Sequence, residues 1–498
     1  MTLQLDRSLT WQDVAAIAKG EDLALSDATW ARIGHAAEIV DRLVETGVRA
    51  YGITTGVGAL SETVVDRASQ AALSRNILFS HACGVGPLLP RESVRAIIAA
   101  QIGNFAHGHS GVRPVVIETL LALLRHDMIP EVPSGGSAGY LTHNAHTALV
   151  LIGAGWARRG DRRFSGRAAL AEIGRKPLVP GAKEGLSLVN GTACSTGLLA
   201  LALSRAAHLL DWADAVACLT LEAAGAQMAA FDEAVLALRP SRGIATVGRA
   251  LRQRLAGSSL IAASCGRRTQ DALSLRSIPH AHGAARDLFD QVAATVDREL
   301  ASVTDNPAVS GSPEAPVVSS QAHAVAPALA LCADGLAIAL AQLSAMSERR
   351  LDRLVNPLVS GLPPFLASDA GSQSGFMIAQ YTAAALANEN RRLAAPASTD
   401  GGITSGLQED FLAHPTAAAL KLHAVLDNAE QILAIEFLAG AQAHDLLAER
   451  APRAPGTQAL YALMRDQIPP YADDRPLADD MAAARALIRE MAPPAVPV

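Results

Sequence analysis

Several polar side chains of this 498-residue sequence stand beside apolar segments, where proton transfer or anion binding is feasible. Tyr51 precedes Gly52 in a glycine-rich loop, and a tyrosine there can act as an acid or a base if its surroundings lower its pKa. Arg276 ends the segment QDALSLR, and a buried arginine suits two-point recognition of a carboxylate. Asn190 in LVNGT and Glu409 in QED add an amide and a carboxylate. These residue types would suit the binding and deprotonation of a small anion.

Each of these residues also has a purely structural interpretation. A lone tyrosine is more often a core residue with a satisfied hydroxyl, and a buried histidine such as His81 usually makes a structural hydrogen bond. The acidic run 408–410 fits the first turn of a helix, where negative charge is favourable. No segment has the spacing of a nucleophile elbow, a phosphate-binding loop or a metal site. The residues alone leave both interpretations open, and we expect no metal.

Long helices must position these side chains. Aromatic residues make up only 4% of the chain, and long segments show helical spacing with few β-branched residues. This predicts a mainly α protein with a central bundle of long, mostly buried helices. We expect an N-terminal region over residues 1–195 and the helix bundle with a C-terminal helical region over 196–498. The predicted long helices cover 196–231, 324–347, 374–393 and 416–449, and glycine-rich clusters predict loops at 51–58, 134–139, 311–321 and 400–406.

Composition excludes several classes of protein. The formal net charge of −6 leaves no broad basic field for nucleic acid or an anionic membrane. The apolar stretch 324–346 is interrupted by Pro327, Asp334 and Gly335, so we expect a core helix there rather than a membrane span. The five cysteines are dispersed without a CxxC pair, and the N-terminus lacks the pattern of a signal peptide. We therefore expect a cytoplasmic protein that binds neither nucleic acid nor membrane.

Nine short segments between residues 51 and 410 indicate a family by their content and by their order along the chain. The segments are YGITTGVG (51–58), NILFSHACG (76–84), IPE (129–131), SGGSAGYLTHNAH (134–146), LVNGT (188–192), QDALSLR (270–276), TDNP (304–307), SGFMIAQYTAAALANEN (374–390) and QED (408–410). Together they resemble the aromatic amino acid ammonia-lyase family, and most of all its histidine ammonia-lyases. The resemblance implies an ammonia-lyase/fumarase-like fold, an amino-acid-type substrate and a homotetramer whose sites each draw on three subunits.

The resemblance also implies roles at matched positions. Tyr51 matches the family's catalytic base, and Arg276 matches the arginine that holds the substrate carboxylate. Asn190 matches an asparagine near the amino group and the cofactor. His81 matches the histidine that recognises the ring in histidine ammonia-lyases. Glu409 matches a glutamate that approaches the imidazole or the amino group.

The segment in which the family builds its electrophilic cofactor departs from the pattern. That cofactor is a methylidene-imidazolone ring made from Ala-Ser-Gly: the glycine nitrogen attacks the alanine carbonyl, and the serine hydroxyl leaves as water. The matched residues here are Ser137-Ala138-Gly139, and Ala138 has no hydroxyl to lose. A frame shifted by one residue, Gly136-Ser137-Ala138, would require the Ala138 nitrogen to attack in a tight turn where glycine is normally needed. We therefore expect no cofactor.

Further departures surround the electrophile. Leu273 replaces an active-site tyrosine, and Gln321 begins a Gln-Ala-His sequence in place of Asn-Phe-His. We expect both Leu273 and Gln321 to contact substrate. Tyr140 stands where aspartate is usual, His143 where proline is usual, and Thr54 replaces an asparagine.

The residues matched to substrate binding are retained, whereas the residue that would form the electrophile is lost. This combination favours a substrate with a different leaving group. The electrophile makes a primary amine a better leaving group, whereas a trialkylamine departs neutral and needs only a base and a held substrate. Ergothionase, which eliminates trimethylamine from the betaine of a 2-thio-histidine, resembles this description. We therefore expect a cofactor-independent lyase that releases trimethylamine from a histidine betaine such as ergothioneine. The alternatives are a conventional histidine or tyrosine ammonia-lyase with a cofactor formed by an unexpected route, a non-catalytic homologue, and a lyase or cyclase for another activated substrate.

Overall fold

The structure, a computed structural model, describes residues 2–66, 69–399, 401–447 and 451–496. Most of these residues are helical, which confirms the expected mainly α fold. The α-helices are α1 (Trp11–Lys19), α2 (Asp27–Thr46), α3 (Gln70–His81), α4 (Arg91–Ala106), α5 (Pro114–Arg125), α6 (Thr142–Leu151), α7 (Gly166–Glu172), α8 (Glu184–Val189), α9 (Ala193–Ala223), α10 (Glu233–Ala237), α11 (Arg242–Leu255), α12 (Ser259–Ser264), α13 (Leu273–Arg276), α14 (Ile278–Leu300), α15 (Pro327–Val355), α16 (Pro357–Ser360), α17 (Met377–Leu393), α18 (Pro415–Asp445), α19 (Pro455–Gln467) and α20 (Leu477–Glu490).

The strands are short and form small separate sheets. They are β1 (Thr2–Leu5), β2 (Asp22–Leu25), β3 (Val85–Leu88), β4 (Ile129–Pro130), β5 (Pro133–Gly135), β6 (Trp156–Arg159), β7 (Arg162–Ser165), β8 (Ala308–Ser312) and β9 (Ala315–Ser319). β1 pairs with β2 in parallel, with Thr2 opposite Asp22. The pairs β3–β5, β4–β6, β6–β7 and β8–β9 are antiparallel. Single turns of 3-10 helix lie at Gly58–Leu60, Met228–Phe231, Pro364–Leu366 and Ser405–Leu407.

The four long helices predicted from spacing are present with shifted ends, as α9, α15, α17 and α18. α9 ends at Ala223, short of the predicted residue 231, because Gly225 takes a left-handed φ of +55°. α15 runs to Val355, beyond the predicted residue 347, and stops where Asn356 is extended before Pro357. α18 ends at Asp445, and residues 448 and 449 of its prediction lie outside the described part of the chain.

The predicted loops are found, with one exception. Segment 51–58 is mainly turn, and segment 134–139 is the end of β5 followed by an irregular stretch with a bend. Segment 311–321 instead belongs largely to the β8–β9 hairpin, in which Ser310 pairs with Val317. The alternation in Pro316-Val317-Val318 is too short to stand out from a loop in the sequence. Of segment 400–406, residue 400 lies outside the described residues.

The first compact unit comprises the described residues of Met1–Ser204, Val292–Asp334 and Pro396–Leu420. Helix α4 is buried along nearly its whole length, from Ser93 to Ala106. Helix α2 begins at the N-cap Ser26, whose side chain accepts a hydrogen bond from the Thr29 amide. Its buried face joins Ile39, Val40 and Leu43 with Ile53 and Val309 in one apolar cluster. The segment around Tyr51 is therefore anchored on α2.

The second compact unit comprises the described residues of Arg205–Gln291, Gly335–Ala395 and Lys421–Val498. One of its apolar clusters joins Leu221, Val247 and Leu251 with Leu275 and Ile278. Since each unit collects three stretches of sequence, no single boundary near residue 195 separates them. The predicted division into 1–195 and 196–498 stays a prediction about organisation.

One buried ion pair of the second unit is supported by several hydrogen bonds. The guanidinium of Arg350 forms a fork with the Glu436 carboxylate, at 2.6 Å from Nε and 2.8 Å from Nη2. Ser347 and Thr220 donate to the same carboxylate. Such pairing offsets the cost of removing the two charges from water.

Two helical stretches among the described residues are long and apolar enough to cross a membrane, Glu184–Ala223 and Pro327–Val355. The apolar window of the first is fully buried within the structure, as expected of a core helix, and half of the window of the second is buried.

Candidate functional site

Tyr51 lies in a tight turn that follows α2. Its hydroxyl oxygen accepts a hydrogen bond of 3.0 Å from the Gly58 amide. The turn is closed by Thr54, whose Oγ1 accepts from the Ala50 amide at 2.8 Å and donates to the Val48 carbonyl at 2.7 Å. Gly52 has φ of +62°, and a Cβ there would lie 2.3 Å from a Leu186 side-chain carbon, so only glycine fits next to Tyr51.

Tyr140 and Glu409 meet although 269 residues separate them. The Tyr140 hydroxyl donates to Oε2 of Glu409 at 2.6 Å. Glu409 is held by backbone hydrogen bonds in both directions with Thr404, at 2.9 and 3.3 Å. Among the described residues, Tyr140 is the one hydrogen-bond partner of the Glu409 side chain. The second carboxylate oxygen therefore remains available to a ligand.

These residues line one cavity of about 870 Å³ within the first unit. The structure brings four predicted residues to its wall, namely Tyr51, Asn190, Gln321 and Glu409. Asn190 ends α8, and its Oδ1 accepts from the Gly191 amide at 2.7 Å. The cavity is large enough for an amino acid, and its wall offers phenol, amide and carboxylate groups.

Gln321 shapes the cavity wall rather than presenting a free amide. Its Nε2 donates to the Asp305 carbonyl at 2.8 Å, and its Oε1 accepts from the His323 amide at 2.6 Å. Its own backbone amide donates to Oδ1 of Asn306, another wall residue, at 2.8 Å. Both polar ends of the side chain are thus used within the loop.

Most wall residues were not among the predicted site residues, and Arg49, Tyr140 and Asn306 are polar examples. Tyr140 directly follows the altered triad, and Asn306 lies in the TDNP segment. Their position in segments that resemble the family is the sequence signal that could have identified them as site residues. Arg49 stands two residues before Tyr51 and forms an ion pair with Glu62. Nothing in its neighbouring sequence distinguishes Arg49 from an ordinary surface arginine.

The remaining predicted residues lie outside the cavity lining. His81 is the last residue of α3, and its Nδ1 is 2.8 Å from the Ile77 carbonyl and 3.0 Å from the Ser80 hydroxyl. Leu273 and Arg276 lie on α13 of the second unit. Leu273 is 64% exposed, whereas Nε of Arg276 is buried without a hydrogen-bond partner among the described residues. The predicted roles of His81, Leu273 and Arg276 stay predictions.

Burial controls the acidity of the two phenols. It raises the pKa of Tyr51 above its ordinary value, and the hydrogen bond from Gly58 opposes that shift. The pKa of Tyr140 is raised more strongly, first by burial and then by its hydrogen bond to Glu409. Burial also lowers the pKa of His81. At neutral pH both phenols are therefore protonated, and Tyr51 needs a nearby positive charge, such as a substrate ammonium group, to act as a base.

The altered triad forms a turn with well-defined hydrogen bonds. Oγ of Ser137 accepts from the Gly139 amide at 3.1 Å and donates to the Tyr140 carbonyl at 3.3 Å. The carbonyl of Ala138 accepts from the His414 amide, and that of Gly139 accepts from Oγ1 of Thr416. These bonds fix both sides of the turn.

In the family's register these residues do not fit a methylidene-imidazolone ring, because the central Ala138 has no hydroxyl. The neighbouring frame Gly136-Ser137-Ala138 does have a central serine. The positive φ angles of the turn fall on Gly136 (+101°), Gly139 (+147°) and Leu141 (+84°), and not on Ala138. The turn thus imposes no glycine-only conformation on Ala138, contrary to our expectation for that frame.

Comparison with known proteins places this geometry in a family. The family model described as aromatic amino acid lyase matches residues 9–466. Histidine ammonia-lyase from Symbiobacterium thermophilum is 43% identical over 491 residues, which cover 98% of this chain and 96% of that protein. The crystal structure of histidine ammonia-lyase from Trypanosoma cruzi superposes with a TM-score of 0.90 and 33% identity, covering 98% of this chain and 93% of that one. Ergothionase from Treponema denticola superposes with a TM-score of 0.90 and 29% identity, covering 98% of each chain.

These similarities correct two of our expectations. The expected release of trimethylamine from a histidine betaine is wrong, because near-full-length relatives at 40–43% identity are histidine ammonia-lyases. The expected absence of a cofactor is contradicted by the same relatives, since histidine ammonia-lyases usually depend on the methylidene-imidazolone. Both expectations rest on the single residue Ala138, whereas the similarity to histidine ammonia-lyases extends over nearly the whole chain. The expected fold is confirmed by the superpositions.

Proposed function

The chain belongs to the aromatic amino acid lyase family, and we propose that it is a histidine ammonia-lyase that eliminates ammonia from histidine to give an imidazole acrylate. The observation that carries the proposal is the cavity that gathers Tyr51, Asn190 and Glu409 in a chain so similar to histidine ammonia-lyases. A carbon–nitrogen lyase needs a base for the β-proton and polar groups that hold the amino acid. The cavity wall has these residue types.

Tyr51 is assigned as the base. Its phenol lines the cavity, and the positive charge of a bound substrate ammonium would oppose the rise in pKa that burial causes. Asn190 is assigned to the substrate: its Oδ1 is engaged by Gly191, so its amide nitrogen remains to donate to an acceptor of the ligand such as the carboxylate. Glu409 is assigned to the imidazole or ammonium, because one of its oxygens has no partner among the described residues.

We assign substrate-side roles to His81, Leu273 and Arg276 as contributions from other copies in a homotetramer. Supporting this, apolar side chains are exposed on two helices: Leu331 (62%) and Ile338 (47%) on α15, and Ile378 (62%) and Tyr381 (68%) on α17. Exposed apolar faces of this kind mark protein–protein contacts. Unpaired thiols at all five cysteines support a cytoplasmic location.

For the cofactor we assign Ser137 as the residue that supplies the methylene, in the frame Gly136-Ser137-Ala138. The Ala138 nitrogen would bond to the Gly136 carbonyl carbon, whose oxygen leaves as water. Ser137 would lose its α-hydrogen and its β-hydroxyl as a second water. The finished ring supplies an electrophile that makes the substrate amine a better leaving group. Supporting this frame, the Gly136 carbonyl is contacted by Oγ1 of Thr142 at 3.5 Å, and Ala138 has no positive φ.

Turnover tests the function directly. The purified full-length chain is incubated separately with histidine, tyrosine and a histidine betaine, and both amine release and the ultraviolet absorbance of the acrylate are followed. We expect ammonium and acrylate from histidine and little product from tyrosine. Amine release from the betaine with none from histidine would overturn the proposal, as would an absence of turnover with all three substrates.

Intact mass tests the cofactor assignment without relying on turnover. We expect the purified chain to weigh two water molecules less than its sequence, with the loss mapped to the peptide that contains residues 136–138. Ser137→Ala should restore the full mass, whereas the matched control Ser134→Ala, a serine of β5, should keep the loss. An unmodified mass in a chain that turns over histidine would refute the ring at Ser137.

A further inference from the structure

We propose that Tyr140 is a positioning residue that holds one oxygen of the Glu409 carboxylate and leaves the other as the single oxygen that binds the substrate. The inference rests on the proposed function for the identity of the substrate, but not for the interaction itself. The observation that carries it is the 2.6 Å hydrogen bond from the Tyr140 hydroxyl to Oε2 of Glu409, inside the cavity that Tyr51 also lines.

The backbone on both sides of Tyr140 is fixed. The carbonyl of the preceding Gly139 accepts from Oγ1 of Thr416 at 2.9 Å, and the amide of the following Leu141 donates to the Val189 carbonyl at 3.1 Å. Leu141 itself has φ of +84°, a conformation that costs free energy for a residue with a side chain. Such a turn persists only when its surroundings hold it, so the phenol is presented from a rigid support.

The two phenols of the cavity make opposite hydrogen bonds. The Tyr51 oxygen accepts from the Gly58 amide, whereas the Tyr140 hydroxyl donates to a carboxylate. A phenol next to a negative charge resists ionisation, and the pKa of Tyr140 is raised accordingly. Tyr140 therefore stays a donor throughout the range in which enzymes work and is unsuited to act as the base. Its effect must be exerted through Glu409.

A donor on one carboxylate oxygen has two consequences for a ligand. It fixes the orientation of the Glu409 carboxylate, with the remaining oxygen as the acceptor. It also prevents both oxygens from binding a forked cation such as a guanidinium. One free acceptor oxygen matches one N–H donor, as presented by an imidazole or an ammonium group. This selects a histidine-like substrate over one with a forked cationic side chain.

Other ionisable groups face the same cavity and must be kept constant in any test. They are Arg49, Tyr51, Glu62 and Asp410. The Glu409 charge acts on Tyr51 as well. Replacing only the Tyr140 hydroxyl leaves all of them in place.

The experiment uses Tyr140→Phe in the full-length chain, with Tyr461→Phe as the matched control. Tyr461 also donates to a carboxylate, Asp445, but lies outside the cavity lining. We expect kcat/KM for histidine to fall about 10- to 100-fold in Tyr140→Phe, which is the range for a lost hydrogen bond to a charged group. We also expect arginine, whose side chain is a forked cation, to inhibit Tyr140→Phe more strongly than the unmodified chain, because both oxygens of Glu409 are then available to it. Tyr461→Phe should leave inhibition by arginine unchanged.

A double-mutant cycle separates positioning from general damage. In a Glu409→Gln background, adding Tyr140→Phe should cost little further activity, because its target is already gone. A full additional loss in that background, or unchanged inhibition by arginine in Tyr140→Phe, would overturn the inference.

A measurement without turnover distinguishes failure of this inference from failure of the proposed function. Binding of arginine is measured by calorimetry, with Glu409→Gln as the blank. We expect tighter binding in Tyr140→Phe than in the unmodified chain, because both oxygens of Glu409 are then available. Identical affinities would refute the role of Tyr140 whatever the substrate, whereas a difference in a chain inactive on histidine would refute only the substrate.

Discussion

Two regions of the first unit differ in how far their polar side chains are hydrogen-bonded. At the cavity wall, the Glu409 side chain has one hydrogen-bond partner among the described residues, and the Tyr51 hydroxyl is bonded to a backbone amide. In the interior, Asp305 accepts from Asn104 at 3.0 Å, from Ser110 at 2.8 Å and from Lys183 at 3.2 Å. We call this second set, completed by Ser187, the Asp305 cluster.

The Asp305 cluster stabilises the fold, whereas the cavity wall has groups that can bind a ligand. All three protons of the Lys183 ammonium are used, by the Ser110 carbonyl, the Ser187 hydroxyl and Asp305, and both charged side chains are fully buried. A cluster without spare acceptors can stabilise the fold but cannot bind a ligand. The cavity wall keeps unused acceptors, which cost stability unless a ligand or water meets them. Substitutions in the two regions should therefore affect different measurements.

The largest effect is expected from Tyr51→Phe. Removing a general base typically costs 10²- to 10⁴-fold in rate, and we expect kcat for histidine to fall in this range. Since the lost hydrogen bond is only the one accepted from Gly58, the melting temperature should change by only about 1–3 °C. Initial rates and thermal melts of the same preparation measure both. A folded variant that keeps its activity would contradict the role of Tyr51, and a large fall in melting temperature would contradict the separation of the two regions.

Lys183→Met should give the reverse result. It leaves Asp305 buried without its charge partner, and breaking a buried pair in this way costs about 3–5 kcal/mol. Urea denaturation should show the loss, while kcat below the unfolding range should change only a few-fold. Lys176→Met, at an exposed lysine, is the matched control and should be neutral. Recovery of part of the stability in Lys183→Met/Asp305→Asn would support the charge argument, and a variant as stable as the control would refute it.

The sequence carried enough information for the fold because helical periodicity is a local signal. α9, α15, α17 and α18 lie where apolar spacing predicted them, and their ends moved where a glycine, a proline or an extended residue stops a helix. Such stops depend on the backbone angle of one residue, and periodicity does not report that angle. The β8–β9 hairpin was missed because its strands have only five residues each.

The site was predictable only in part because it is assembled from distant segments. Tyr51, Asn190 and Glu409 could be proposed one by one from their local sequence, and the structure places them around one cavity. The contact of Tyr140 with Glu409 spans 269 residues, and no local pattern records it. The expected release of trimethylamine is wrong for a related reason. Ala138 is a departure at one position, whereas the similarity to histidine ammonia-lyases extends over 491 residues.

The smallest predicted effect concerns His444 in the interior of the second unit. It tests whether a buried, hydrogen-bonded side chain contributes to stability in a pH-dependent way. Its Nδ1 accepts from Arg453 at 3.1 Å and its Nε2 lies 3.1 Å from the Leu219 carbonyl, with Glu222 at 3.8 Å. Burial, followed by the charge of Arg453, lowers the pKa of His444 from 6.5 to about 4. Because the folded chain protonates His444 less readily than the unfolded chain, stability is fully present above pH 6.5 and declines as the pH falls toward 4.

The contribution of His444 to this decline is about 3 kcal/mol at most, since one pKa unit corresponds to about 1.4 kcal/mol. Urea denaturation at several pH values between 7 and 4 measures it as a difference between the unmodified chain and His444→Gln, which has no imidazole to protonate. The decline should be smaller in His444→Gln, whereas His126→Gln, at an exposed histidine, should behave like the unmodified chain. Equal acid losses in all three chains would mean that a satisfied interior histidine carries no pH-dependent stability. The interior would then differ from the cavity wall in geometry but not in energetics.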